Sequence, residues 1–101
     1  MTTKAERELN KAADWWEHHR SVDEAQRWYN GIVAAIQSLE TNPDRCCIAR
    51  EDTDIHIPLR ELHFGLGRRP THRVVFTIRP GRVIIHAVRH YAQRDLTEDD
   101  L

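Results

Sequence analysis

The apolar residues of this chain change their spacing once, close to the middle. From Ala5 to Leu39 they recur every three or four positions, and from Ile55 onward they alternate. The first is the period of a helix with one buried face, the second that of a strand. A single change of period predicts helices followed by a sheet, an α+β arrangement.

In the first half, Ala5, Leu9, Ala12 and Trp16 line one face of a helix, with Glu6, Lys11, Asp14 and Glu17 elsewhere. Thr3 with Glu6 has the capping-box pattern at its start, and His18-His19-Arg20 suits its carbonyl end. Ser21 with Glu24 repeats the pattern, and a second stripe runs Ala25, Trp28, Ile32, Ile36, Leu39 to a stop at Asn42-Pro43. So short a link forces an antiparallel hairpin. A DNA-reading helix-turn-helix is disfavoured by the acidic balance of this half and by the length of the second helix.

In the second half, His72, Val74, Phe76 and Ile78 alternate with Arg73, Val75 and Thr77, as expected of a strand covered on one side. Pro80-Gly81 supplies a turn, and Arg82 to His90 runs back as its antiparallel partner. On this reading Ile84, His86 and Val88 share a face. Leu59 to Phe64 is a third strand, with Pro58 suited to its first residue or an edge. The expectation is a helix hairpin packed on an antiparallel sheet of about three strands, with a frayed acidic tail, Thr97 to Leu101.

At 101 residues, 40% of them hydrophobic, residues 1–101 are expected to form one domain. No apolar run approaches the roughly 18 to 20 residues of a membrane helix, and the start lacks a signal peptide, so a cytoplasmic location is expected. Cys46 and Cys47, the only cysteines, are sequence neighbours and do not reach disulfide geometry easily. Their spacing to His56 is not one that zinc sites favour, so neither a metal nor a cofactor is expected.

Net charge is −1, but residues 45–94 carry ten basic and four acidic groups, flanked by acidic segments. All ten cations of that module are arginines, whose planar fork suits phosphate or carboxylate.

The ordered set Leu39-x-x-x-Pro43, Leu59-Arg60-Glu61-Leu62-His63-Phe64-Gly65, His72-Arg73-Val74-Val75-Phe76-Thr77-Ile78 and Val83-Ile84-Ile85-His86-Ala87-Val88-Arg89-His90 resembles the RelE/ParE superfamily of bacterial toxins. The resemblance covers nearly the whole chain. It implies the toxin of a type II toxin–antitoxin pair, which halts growth, is neutralised by a cognate antitoxin and can form a hetero-oligomer with it.

Within the superfamily, RelE-like members are ribosome-dependent mRNA endonucleases and ParE-like, plasmid-stabilisation members are gyrase poisons. For the RNase, Arg73 matches the phosphate-contacting position, while His90 and Tyr91 offer an imidazole and a phenol for proton transfer. The match departs in three places. Aligning Arg89 with the RNase arginine displaces His90-Tyr91 by one residue, which reverses a strand face. The RelE lysine cluster has no counterpart, and Thr97 stands at the late tyrosine. The Leu-Arg-Glu-Leu strand and the Val-Arg-His ending followed by Gln93-Arg94 look more like ParE. Arg60, Arg68, Arg69, Arg73, Arg89 and Arg94 are the candidates for binding target or antitoxin. An inert, antitoxin-binding protein is the third possibility. The family usually opens with a short strand that is not evident before Thr3, so an upstream start or an uncovered sheet edge is expected.

Overall fold

The structure, a computed structural model, describes residues 1–51 and 55–101. Helix α1 spans Thr3–His19 and α2 spans Val22–Gln37, followed by 3-10 turns at Ser38–Glu40 and Pro43–Arg45. Strands β1 (Cys47–Ile48), β2 (Arg60–Phe64), β3 (His72–Arg79) and β4 (Arg82–His90) form one antiparallel sheet in the order β1-β2-β3-β4. The sheet therefore has four strands, one more than the sequence pattern suggests, because β1 is too short to show alternation.

Local chemistry sets the boundaries. Ser21 caps α2 by accepting from the Glu24 N–H at 3.0 Å. The cap of α1 is Thr2 and not Thr3: its hydroxyl accepts from the Ala5 N–H at 3.1 Å. Gly81 takes φ +74°, the left-handed conformation that the tight β3–β4 turn requires. Gly31, inside α2, sits where an added Cβ would lie 2.5 Å from the tip of the Phe64 ring, so helix and sheet meet more closely than a side chain permits.

Both faces of the sheet are covered, not one. On one face Val74, Phe76, Ile85 and Val88 pack with Ala5, Leu9, Trp28 and Ile32 of the helices. On the other, Val75 and Ala87 pack with Ala49, Ile55, Leu59 and Leu96, drawn from irregular segments. His86 falls at a bulge, since Val75 pairs with Ala87 and Phe76 with Ile85. The bulge shifts the parity of β4, so Ile85, not Ile84, joins Val88 on the helix face. Thr77 Oγ1 lies 2.9 Å from His86 Nε2.

The outer edge of β4 is partly covered without a strand. The Thr2 N–H donates to the Ile85 carbonyl at 3.0 Å, and the Val88 N–H donates to Glu8 Oε1 at 3.1 Å. The acidic tail is folded back instead of frayed. Arg94 grips Asp100 with both nitrogens at 2.8 and 3.0 Å, Thr97 forms a capping box, and Lys4 Nζ donates to the Asp100 carbonyl at 2.8 Å.

Candidate functional site

Strand register places the candidate residues. Across β2, β3 and β4, His63, Arg73 and Arg89 form one row, and Cys47, Glu61, Val75 and Ala87 form the next. Arg73 thus projects from the middle of the sheet on the face away from the helices. That face is closed over it: Arg73 is 0% exposed. Its Nη1 donates to Glu51 Oε1 at 2.6 Å and to Glu61 Oε1 at 3.3 Å, and its Nη2 donates to Glu51 Oε2.

The two carboxylates are themselves anchored. Glu51 Oε2 also accepts from the Leu96 N–H at 2.9 Å, and Glu61 Oε1 accepts from the Arg50 N–H at 3.1 Å. Burial works to raise the Glu51 pKa, but the hydrogen bonds from Arg73 and Leu96 outweigh it and hold the carboxyl below its ordinary range. Burial likewise works to lower the Arg73 pKa, and Glu51 and then Glu61 reverse it. Such a two-pronged, charge-assisted contact fixes the guanidinium plane. In this structure Arg73 faces carboxylates, not solvent, and its one donor without a partner, Nε, is buried.

His90 and Tyr91 lie on different sides of the sheet. The His90 ring is 5.1 Å from that of His72 on the helix side, and its Nδ1 accepts from the Ala92 N–H at 2.9 Å. The Tyr91 ring meets His63 edge-on at 5.7 Å, beside the Arg73 cluster. Burial, then Glu61 and Cys47, raise the pKa of its phenol. The structure therefore places Tyr91 beside Arg73 and separates His90 from both, on the opposite side of the sheet. Arg89 is also buried, with Nη2 on the Arg94 carbonyl at 2.6 Å and Nη1 3.6 Å from Glu8.

A family model described as ParE toxin of type II toxin–antitoxin system, parDE, matches residues 1–95. The chain belongs to this ParE toxin family. No curated protein matches it. The α+β fold, two helices followed by an antiparallel sheet, is that of the RelE/ParE toxins, and a toxin of this type has a cognate antitoxin as its partner. No helix among the described residues is long and apolar enough to cross a membrane.

The toxin's remaining candidate arginines divide by what already holds them. Arg60 donates to the Cys46 carbonyl at 2.6 Å and to that of Asp44 at 3.2 Å, and Arg94 is taken up by Asp100. Arg68 and Arg69 are exposed in the β2–β3 loop, with no ion pair among the described residues. Arg79 and Arg82, cross-strand partners at the β3–β4 tip, are also exposed and unpaired among the described residues. Sequence reading passed over this second pair, although its place beside Pro80-Gly81 signals a loop tip. Residues 65–71 and 80–81 connect opposite ends of β3, so these four arginines form two separate groups.

A cleft of about 590 Å³ opens between α1 and the ends of β3 and β4, lined by Trp15, Trp16, His72, Arg89 and His90 among others. Trp28 is wholly buried, as expected for a residue packing the hairpin, and meets His72 at 5.0 Å and Phe64 at 6.5 Å. Trp15, in contrast, lies outside the core. It is 51% exposed and stacks on the His19 ring at 4.6 Å.

Proposed function

We propose that the toxin halts growth by binding DNA gyrase and does not cleave mRNA. The observation that carries this reading is the enclosure of Arg73 by Glu51 and Glu61. Endonucleolytic chemistry requires a cation free to meet the phosphate and an acid–base group within reach of the same point. Here the strand arginine is neutralised from two sides, and the imidazole and phenol point to different faces. A contact inhibitor needs neither. It needs exposed groups on a rigid frame, which Arg68, Arg69, Arg79, Arg82 and Trp15 supply. Membership of the ParE family supports the same choice.

The test is induction of the toxin in a bacterium, with His90→Gln and Tyr91→Phe variants alongside. Gyrase binding leads to growth arrest with relaxed plasmid DNA, relief by the cognate antitoxin, and variants that remain toxic. An RNase would lose roughly 10²-fold or more in cleavage with either variant. Normal growth at confirmed expression would leave an inert antitoxin-binding protein.

A further inference from the structure

On the face away from the helices, β1 and β2 bring together three side chains that the toxin's binding surface does not use. Cys47 and Glu61 are direct cross-strand partners, and His63, two residues beyond Glu61, stands on the same face. The Cys47 Sγ lies 4.0 Å from His63 Nε2, and that nitrogen lies 2.6 Å from Glu61 Oε2. All three donor atoms fall within 4.8 Å of one another. Cys47 and His63 are exposed, so the cluster is open to an incoming ion.

Two readings of such a trio differ in which ring nitrogen is used. A nucleophilic relay needs the thiol on one imidazole nitrogen and the carboxylate on the other. Here the same nitrogen, Nε2, faces both. Convergence of a thiol, an imidazole and a carboxylate on one point is instead the arrangement of a metal's ligands.

The geometry and the charge agree with that. Zinc bonds of about 2.0 to 2.3 Å in a tetrahedron separate ligand atoms by roughly 3.3 to 3.8 Å. The His63–Glu61 contact would open by less than about 1 Å and the Cys47–His63 contact would close by a few tenths. Side-chain rotation supplies both. Glu61 is oriented for the role, because Arg73 and the Arg50 N–H hold its Oε1 and leave Oε2 directed at His63. Behind it, two carboxylates, Glu51 and Glu61, face one guanidinium, so the buried trio carries an excess negative charge on the side facing the cluster. A divalent cation would balance that charge together with the thiolate.

We propose that Cys47, Glu61 and His63 form a binding site for a divalent ion of the zinc class, with three protein ligands and the fourth position open to water or to a donor from a docked partner. The site is independent of the gyrase reading.

Cobalt(II) is the probe. Added to the reduced full-length toxin, it should give a thiolate-to-cobalt charge-transfer band that saturates at one ion per chain and is bleached by zinc. The band should vanish in Cys47→Ser and persist in Cys46→Ser, whose side chain is buried away from the cluster. His63→Ala should weaken binding by roughly tenfold or more. Zinc should raise the unfolding temperature of the wild type and not of Cys47→Ser, and matching circular dichroism spectra would verify that the variants fold. No band, a band that survives Cys47→Ser, or unchanged affinity in folded His63→Ala would overturn the proposal.

Discussion

Glu51 and Arg73, 22 positions apart, form a two-pronged ion pair in which both side chains are 1% exposed. The pair ties the irregular segment after β1 to the centre of the sheet. Glu51 also holds the Leu96 N–H, so one carboxylate fastens the chain's last apolar anchor as well.

Breaking such a pair from one side strands a buried charge. Glu51→Ala or Arg73→Met should each lower stability by about 3 to 5 kcal/mol. The double variant Glu51→Leu/Arg73→Met should recover much of the loss, since an apolar pair of similar volume avoids the desolvation cost. Urea denaturation of the four proteins gives the coupling directly. A double variant as unstable as the sum of the singles would mean that the two residues act separately.

Acid should weaken the fold through His72. Burial, then the neighbouring His90, lower its pKa from 6.5 to about 4. The unfolded chain therefore binds a proton that the native state refuses between those values. The native state's advantage is complete above about pH 6.5 and declines as pH falls to about 4, by up to about 3 kcal/mol. His86, whose pKa is lowered by burial, then by Arg79 and Lys4, acts in the same direction. Stability measured at pH 7 and pH 4.5 should differ less in His72→Gln than in the wild type; an unchanged difference would remove His72 from the explanation.

Gly31→Ala sets two effects against each other. Alanine favours the helix by about 1 kcal/mol, but the new methyl would meet the Phe64 ring, and overpacking typically costs about 1 to 3 kcal/mol. The variant should melt at a lower temperature, and Phe64→Leu added to it should restore part of the loss. A raised melting temperature would show that the ring yields easily.

Antitoxin association should depend on the exposed loop arginines Arg68, Arg69, Arg79 and Arg82. The rate constant should fall on the order of tenfold between low and high salt, and less steeply in Arg68→Ala/Arg69→Ala. The double variant Glu51→Leu/Arg73→Met, which removes one buried charge of each sign, should leave the salt slope unchanged. Stopped-flow mixing at several ionic strengths separates these outcomes.

Much of the fold is written in local chemistry. The two apolar stripes, Ser21, and the Pro80-Gly81 turn each specify an element through their own neighbours, and the observed helices and hairpin follow them. What stayed hidden lies in segments without a period. Ala49, Ile55, Leu59 and Leu96 build the second core from loops, so alternation in β3 showed Arg73 opposite Val74 and Phe76 but not that its own face was covered. For the same reason the partner, Glu51, was invisible. The Cys47–Glu61–His63 cluster depends on a two-residue strand and its register, and no spacing in the sequence announces it. That His90 and Tyr91 face opposite sides of the sheet was legible, because neighbouring residues along a strand alternate.

The most direct measurement is to assay one preparation of purified toxin for inhibition of DNA gyrase supercoiling and for cleavage of mRNA during translation. Loss of supercoiling with intact message is the result expected of a toxin whose strand arginine is locked in a buried ion pair. Cleaved message with normal supercoiling would contradict it.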